Sequence, residues 1–233
     1  EWQFSNGSCP VQSDQVNIVF NANPTPAFAG SDTSVCGNSV SMNADFLNVG
    51  NGQWTIVSQP SGSNPPGFSN IADPKSTFTA DSFGTYVFNW SSSNGACPST
   101  NDNVRLIFNE KPNFSIANQT ATRCFGECDG SVSLQAFDGL APYFYSWTGT
   151  DEREGNNMTD LCAGNYQVTI TDKNGCQNTN NVNVGEADSI YAQINVSSST
   201  CGNYDGSINL SAFGGTGDLT VQWNTGILDT SLV

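Results

Sequence analysis

The sequence contains no histidine, and it has only six lysine and arginine residues against 21 aspartate and glutamate residues. Without histidine it lacks the general base of the common nucleophilic triads, and it has no G-x-S-x-G elbow. It has no C-x-x-C pair either, so the closely spaced ligands of a zinc site are missing. We therefore expect neither an enzyme nor a resident cofactor in this chain.

Basic patches and long apolar runs are also missing. The net charge is −15, and Arg105, Arg123 and Arg153 stand singly along the chain. Nucleic-acid binding needs a basic surface that neutralises phosphates, and an anionic bilayer attracts clusters of basic residues. No apolar run approaches the roughly 20 residues of a membrane-spanning helix. We expect no nucleic-acid partner and no direct membrane insertion.

The composition that remains is typical of secreted all-β proteins. Apolar residues make up 36% of the chain and charged residues 12%, and eight cysteines are spread along it. This arrangement of cysteines predicts disulfides, which persist in oxidising compartments. The apolar content suffices for several small cores rather than one large core. We expect an extracellular or bacterial cell-surface location.

The chain repeats itself at two periods, 88 residues (Trp2 to Trp90) and 76 residues (Trp147 to Trp223). Further pairs at these offsets are Cys9 with Cys97, Asp14 with Asp102, Phe20 with Phe108, Gly130 with Gly206, Phe137 with Phe213 and Gly139 with Gly215. Fixed periods of this kind indicate tandem modules. We predict the end of a truncated module at 1–23, a first complete module at 24–112, a second complete module of another kind at 113–186, and the first part of its copy at 187–233.

Alternating apolar and polar residues predict short strands throughout, and helical periodicity is absent. A period of two places Tyr86, Phe88 and Trp90 on one face, toward a core. Gly84 followed by Tyr86 on a late strand resembles the tyrosine corner of immunoglobulin-like sandwiches, in which the hydroxyl reaches upstream backbone. The predicted fold class is all-β: tandem small immunoglobulin-like β-sandwich modules, stabilised by disulfides and arranged as an elongated array.

We expect one disulfide, Cys36–Cys97, in the first complete module. Cys36 is placed at the start of the first long strand, and Cys97 follows the strand that ends at Trp90. Closing a loop of 61 residues (97 − 36) would stabilise the module by roughly 4 kcal/mol in the chain-entropy model. Cys9 would then be the last cysteine of the truncated module, without a partner in this chain.

Four cysteines in the second complete module allow three connectivities. The copy keeps Cys201 before its Asp-Gly but has Tyr204 in the place of Cys128, so Cys124 and Cys128 are expected in different bonds. A pairing of Cys124 with Cys162 stays open. We expect the pairs Cys124–Cys176 and Cys128–Cys162, with Cys201 left without its partner.

These cysteines belong to a long pattern: C-x-G-x-C-D-G-S from Cys124, A-P-Y-x-Y-x-W from Ala141, and L-C-A-G-N-Y-x-V-T-I-T-D-x-N-G-C from Leu161. The pattern resembles the SprB-type repeat of Bacteroidota gliding and surface adhesins. The copy departs from it, with T-G-D-L-T-V where the second complete module has L-A-P-Y-F-Y, so the Pro-Tyr element is missing there.

Residues 27–111 resemble the PKD-like, immunoglobulin-like repeats of large secreted proteins in the same bacteria. The resemblance lies in W-T-I-V-S-Q-P-S-G, G-T-Y-V-F-N-W and N-G-A-C-P-S-T-N-D-N-V, although the W-D-F-G-D-G stretch of typical PKD domains is missing. Both resemblances imply a very long, exported, repetitive cell-surface protein, commonly delivered by the type IX secretion system.

Few side chains are candidates for binding a ligand. Asp129 and Asp172 lie in turns and are weak candidates for calcium, which extracellular loops bind through oxygen ligands. Local backbone hydrogen bonds are the competing interpretation of both. The charged cluster at 151–154 lacks an apolar wall and indicates a solvated loop rather than a glycosidase carboxylate pair. Phe144 alternates with residues that face the core, so we expect it to be an exposed binding aromatic.

Our first hypothesis is structural: the chain is a stalk segment of a long secreted cell-surface adhesin, of the gliding-motility or attachment type, and it spaces a distal binding region from the cell. The alternative is a set of glycan- or protein-binding accessory modules in a secreted multidomain protein. The implied partners are the secretion machinery and an outer-membrane anchor, reached through parts of the parent protein, and a surface polysaccharide or protein ligand.

Overall fold

The structure, a computed structural model, describes residues 1–64, 67–148, 154–203, 205–224 and 231–232 of the 233-residue chain. The described part is built of β-strands and turns, which confirms the all-β prediction. Within these ranges no helix is long and apolar enough to cross a membrane. Contacts divide the chain into two units, Glu1–Asn109 and Glu110–Val233. The finer division into four segments stays a prediction.

The described residues of the first unit form eight strands. They are β1 (Trp2–Phe4), β2 (Gln12–Asp14), β3 (Thr33–Cys36), β4 (Ser39–Ser41), β5 (Asn51–Ser58), β6 (Thr77–Thr79), β7 (Gly84–Ser93) and β8 (Thr100–Asn109). β1 and β2 form a hairpin, β4 and β6 form a two-stranded sheet, and the main sheet has the order β3-β8-β7-β5. β3 runs parallel to β8, whereas the other described pairs of this unit are antiparallel.

Aromatic rings fill the core of the first complete module. The predicted alternation along β7 is confirmed, because Tyr86, Phe88 and Trp90 are all buried. Phe78 of β6 meets Phe88 edge-on at 4.6 Å between ring centroids, and Trp54 of β5 lies 5.0 Å from Trp90. Tilted and edge-to-face pairs of this kind stabilise a core by about 0.5–1.5 kcal/mol each beyond the area they bury.

In the second unit, nine strands lie within the described ranges. They are β9 (Asn113–Thr120), β10 (Gly130–Phe137), β11 (Phe144–Thr148), β12 (Asn157–Leu161), β13 (Gly164–Thr171), β14 (Gln177–Val184), β15 (Tyr191–Ser197), β16 (Ser207–Phe213) and β17 (Ser231–Leu232). The second complete module consists of two three-stranded sheets with the orders β12-β10-β9 and β11-β13-β14. Its copy contributes the sheet β15-β16-β17.

The core of the second complete module is smaller and mostly aliphatic. Its buried members are Val132, Leu134, Trp147, Met158, Leu161, Tyr166, Val168, Val182 and Val184. They come from both three-stranded sheets, so the two sheets enclose one core as in a sandwich.

Each complete module has a tyrosine corner. The Tyr86 hydroxyl donates to the carbonyl oxygen of Ser82 at 3.0 Å, which confirms the predicted corner. The Tyr166 hydroxyl donates in the same way to the carbonyl oxygen of Cys162 at 2.8 Å. In both cases a glycine stands two residues before the tyrosine, and the acceptor lies four residues before it. The corner therefore ties each of these strands to the turn that precedes it.

The Cys128–Cys162 disulfide is present in the second complete module. Gly130 pairs with Leu161 where β10 meets β12, so the cysteines that flank this pair are brought together. Their Cα atoms are 3.8 Å apart. The bond joins the turn before β10 to the corner before β13.

The predicted Cys36–Cys97 pair is wrong, because Cys97 is a free thiol and Cys36 is oxidised without it. Cys36 is the last residue of β3 and pairs with Asn109 at the end of β8. Cys97 precedes the other end of β8, which begins at Thr100. A strand of that length separates the two by roughly 30 Å, far beyond disulfide reach. The sequence had suggested that Cys36 begins a strand, whereas it ends one.

The predicted Cys124–Cys176 pair is wrong for a similar reason, since Cys124 is an exposed free thiol. The turn that holds Cys124 lies at the C-terminal end of β14, where the Gly126 amide donates to Glu186 Oε1 at 3.0 Å. Cys176 is buried immediately before the N-terminal end of β14 and is oxidised without Cys124. An eight-residue strand again separates them by roughly 27 Å.

Candidate functional site

The most distinctive exposed side chain of the second complete module is Phe144, on the edge strand β11. It is 62% exposed, whereas Trp147 on the same strand is 3% exposed, so the predicted outward direction of Phe144 is confirmed. β11 pairs with β13 on one side only in the sheet order, and Phe144 lies directly opposite Thr171. Side chains at such opposed positions have Cβ atoms about 4.5–5.5 Å apart on one face of a sheet.

Phe144 borders a groove that we call the aromatic groove, lined by Tyr143, Phe144, Tyr145, Ser146, Glu154 and Thr171 among others. Its volume is about 400 Å³. Glu154 reaches it through an isolated bridge to Ser146. The lining therefore combines ring faces with hydroxyl groups and one carboxylate.

The outer face of β11, β13 and β14 continues from the groove as an uncharged polar surface. Its residues are Phe144, Ser146 and Thr148 on β11, Asn165, Gln167, Thr169 and Thr171 on β13, and Gln177, Thr179, Asn181 and Asn183 on β14. Several of them are already hydrogen-bonded to one another: Gln177 Nε2 donates to Thr171 Oγ1 at 3.1 Å, and the Thr169 and Thr179 hydroxyls are 2.9 Å apart. Phe144 is the one apolar side chain among these described residues.

Backbone contacts hold the loop that leads into β11. The Tyr143 hydroxyl donates to the Asp138 carbonyl oxygen at 2.8 Å. The Leu140 amide donates to Asp172 Oδ2 at 3.0 Å. Burial raises the pKa of Tyr145 above its usual value of 10, so this phenol is neutral near pH 7. The rings of the aromatic groove are thus presented by a loop that hydrogen bonds hold in place.

The two weak calcium candidates have their carboxylate oxygens engaged within the chain. Asp129 accepts from the Arg123 amide at 2.9 Å and from Arg123 Nε at 2.6 Å, and these contacts hold its pKa below the usual value. Asp172 is buried and accepts from the amides of Cys176 and Leu140. Both therefore make the local backbone hydrogen bonds of the competing interpretation. The described residues hold no group of three or more His, Cys, Asp or Glu suited to a metal ion.

Of the charged cluster at 151–154, residues 151–153 lie outside the described residues, so the solvated-loop prediction is not tested there. A second cavity, of about 440 Å³, lies where the second complete module meets its copy, and Arg123, Phe125 and Leu219 are among its lining. Thr216 Oγ1 donates to the Arg123 carbonyl oxygen at 2.9 Å across this junction.

Sequence reasoning found Phe144 but missed its neighbours. Thr171 and Gln177 lie beside it through the pairing of β11 with β13 and of β13 with β14. Pairing register between strands is not visible in a single sequence, so no signal pointed to them. Tyr166 could have been found, because G-N-Y repeats the spacing of G-T-Y at Gly84.

Residues 116–151 match the family model described as the SprB repeat. No curated protein matches the chain in a comparison of sequences. Among solved structures, the chain is similar to the N-terminal eight Ig domains of Down Syndrome Cell Adhesion Molecule isoform 1.30.30, with 10% identity, a TM-score of 0.51, and coverage of 83% of this chain and 28% of that one. It is also similar to the insect immune protein hemolin, with 14% identity, a TM-score of 0.41, and coverage of 74% and 49%.

The PKD domain from the KIAA 1837 protein is a third similar structure, with 20% identity, a TM-score of 0.31, and coverage of 40% of this chain and 93% of that one. The chain spans about half of the hemolin structure and less than a third of the cell adhesion molecule structure. At 10% identity, the likeness to the cell adhesion molecule structure shows the fold alone. The chain therefore carries a SprB-type repeat, and its modules have an immunoglobulin-like β-sandwich fold.

Proposed function

We propose that the chain is a stalk segment of a long secreted cell-surface adhesin and carries tension between the cell and a distal binding region. The observation that carries the proposal is the parallel pairing of β3 with β8. These are an early strand and the last strand of the first complete module, so a pull on the two ends of the module slides them past each other. All the hydrogen bonds between them then resist together, rather than opening one at a time.

Neighbouring contacts extend this clamp at both ends. The Gly37 amide donates to the Asn109 carbonyl oxygen at 2.8 Å, just beyond the last pair of the β3–β8 ladder. At the other end, the Arg105 amide donates to Asp32 Oδ1 at 2.8 Å. Strand pairing in this shear geometry suits a protein that is pulled along its chain.

Three further findings support a surface adhesin. Residues 116–151 match the SprB repeat, and the modules have an immunoglobulin-like fold. The Cys128–Cys162 disulfide fits an oxidising, extracellular environment. We propose a non-enzymatic protein of the gliding or attachment type, exported by the type IX secretion system. Its partners would be the secretion machinery, an outer-membrane anchor and a surface polysaccharide or protein.

Single-molecule force spectroscopy on the chain tests the proposal. Val35→Pro removes an N–H of β3 that faces β8, since the Gly37 amide two residues further on donates to Asn109, and it should lower the unfolding force of the first complete module. Val40→Pro is the matched control, since it removes the ladder amide of an equally half-buried valine in another short strand, β4, outside the clamp. Equal unfolding forces for the two variants would contradict the clamp. Antibodies against the chain should also label intact cells that produce it, and labelling of lysed cells alone would refute a surface protein.

A further inference from the structure

We propose that the outer face of β11, β13 and β14, centred on Phe144, is a binding site for a neutral polysaccharide. This goes beyond the stalk role, because it gives the second complete module a ligand of its own. The first argument is the ring itself. Phe144 exposes its apolar ring to solvent on an edge strand. The residues that alternate with it, Tyr145 and Trp147, are half-buried and buried. Sugar rings carry apolar C–H faces that pack on aromatic rings in water.

The second argument is the chemistry around the ring. Thr171 stands opposite Phe144, Ser146 is two residues along the strand, and Gln177 follows across β13. Hydroxyl and amide groups both donate and accept hydrogen bonds, as sugar hydroxyls require. Specific sites for small molecules combine such polar groups with an apolar floor, and the aromatic groove of about 400 Å³ has room for one to two sugar rings.

The third argument is charge, which selects a neutral ligand over an acidic one. The eleven described outer-face residues include no charged side chain, and Glu154 at the aromatic groove is acidic. The chain as a whole carries a net charge of −15. A polyanionic polysaccharide would be repelled by this field, whereas a neutral chain is not affected by it.

The fourth argument is that hydrogen bonds already hold the groups of the site in place before a ligand binds. The Tyr143–Asp138 and Leu140–Asp172 hydrogen bonds fix the loop that leads to Phe144, and the Gln177–Thr171 contact fixes its polar neighbours. A site whose groups are already placed loses less conformational entropy when a ligand binds.

The partial copy provides an internal comparison. At the 76-residue offset, Thr220 takes the place of Phe144 and Leu219 that of Tyr143. The copy therefore lacks the stacking ring, and the proposed site belongs to the second complete module. The substitution Phe144→Thr therefore gives the second complete module the residue that its copy has at this position.

Affinity gel electrophoresis of the full chain tests the site, with xyloglucan, galactomannan or laminarin in the gel and alginate as the acidic probe. At least one neutral polysaccharide should retard the chain. Phe144→Ala and Phe144→Thr should weaken that binding at least tenfold, while Phe144→Trp retains it. Phe125→Ala is the matched control, because Phe125 is 61% exposed and lies outside the aromatic groove.

Circular dichroism of each variant confirms that it is folded, so a loss of binding can be assigned to the ring. The proposal is overturned if no neutral polysaccharide retards the chain or if alginate alone does. It is equally overturned if Phe144→Ala binds as the unmodified chain does, or if Phe125→Ala weakens binding as much as Phe144→Ala. None of these outcomes affects the force measurements on the first complete module.

Discussion

The two complete modules are small sandwiches that are stabilised in different ways. The first buries six large aromatic side chains almost completely: Trp54, Phe78, Tyr86, Phe88, Trp90 and Phe108. The second buries Trp147 and Tyr166 among aliphatic side chains and adds the Cys128–Cys162 disulfide. Small domains expose much of their surface even when folded, so a module with fewer rings gains most from a covalent link.

The modules also differ in how their first and last strands are connected. β3 and β8 form one parallel ladder in the first complete module. In the second, β9 and β14 belong to different sheets and are joined by side-chain and turn contacts, such as the Thr122 amide donating to the Gly185 carbonyl oxygen at 3.1 Å. A pull on the second module is therefore resisted by packing and by its disulfide, which keeps the loop from 128 to 162 closed.

The largest expected effect is the loss of a ring from the first core. Phe78 is 0% exposed and contacts Phe68, Tyr86, Phe88 and Phe108. Phe78→Ala should lower the free energy of unfolding of this module by about 3–5 kcal/mol, because it leaves a cavity among the rings. Hydrogen exchange followed by mass spectrometry resolves the modules separately. Phe46→Ala, at a side chain that is 69% exposed, should change stability by less than about 0.5 kcal/mol. Equal losses for the two variants would show that the rings do not support the core.

The second-largest expected effect comes from removing the Cys128–Cys162 disulfide. A double substitution, Cys128→Ser with Cys162→Ser, opens a loop whose ends are 34 residues apart. The expected loss is roughly 3–4 kcal/mol, measured as hydrogen-exchange protection in β10 and β13. Cys124→Ser serves as the control, since that thiol is exposed and free. If the double variant kept full protection, the module would be stable without this bond and the contrast between the modules would fail.

Sequence patterns predicted the parts of this fold in which alternation is long. The ten residues of β7 show it clearly, and their inward face is the observed core. β3 has only four residues and carries little periodicity, so Cys36 was expected to begin a strand rather than to end one. The β3–β8 clamp was therefore not visible in the sequence.

The cysteine pairs show a second limit of the sequence. Cys128–Cys162 was predicted from a comparison of the module with its copy, and the structure contains it. The other two pairs failed because their cysteines lie at opposite ends of β8 and β14, and chain order does not reveal which strand ends are neighbours. For the same reason alternation indicated that Phe144 points outward, yet gave no information on the residues across the sheet from it.

The tyrosine corner shared by both modules should give similar effects. Tyr86→Phe and Tyr166→Phe each remove one hydrogen bond to a backbone carbonyl, with an expected loss of about 1 kcal/mol in the corresponding module. The loss should be somewhat larger for Tyr86, whose hydroxyl also lies 3.2 Å from Asp81 Oδ1. Thermal unfolding combined with hydrogen exchange measures both. A loss in one module alone would show that the corner stabilises that module and does not stabilise the other.

The Tyr86 corner also predicts that the stability of the first complete module depends on pH. Burial and the nearby Asp81 carboxylate raise the pKa of Tyr86 above its usual value of 10. The neutral phenol is thus favoured in the folded state, so its contribution is complete below pH 10 and is lost as the pH rises further. Unfolding by denaturant between pH 9 and 11 should show this loss, and Tyr86→Phe should remove it. A slope that persists in Tyr86→Phe would assign it to another group.

The smallest expected effect concerns the aspartate of the Asp-Gly turn, which the second complete module shares with its copy. Asp129 accepts the Arg123 amide at 2.9 Å and Asp205 accepts the Thr200 amide at 2.7 Å, and in both cases the donor precedes a cysteine. The pKa of Asp129 is lowered by hydrogen bonds from the amide and the guanidinium of Arg123, and the pKa of Asp205 is lowered by hydrogen bonds from the hydroxyl and the amide of Thr200.

Because these pKa values are depressed in the folded state, the turns should keep their order above about pH 4 and lose it as the pH falls through the folded values. NMR titration of the Arg123 and Thr200 amide signals from pH 6 to 2 measures this directly. Asp129→Asn should shift the Arg123 amide signal and leave that of Thr200 unchanged, and Asp205→Asn should do the reverse. Since both carboxylates are at the surface, the change in unfolding free energy should be the smallest of those predicted. A large loss of stability at low pH in either variant would mean that the Cys-containing turn, rather than the core or the disulfide, holds the sandwich together.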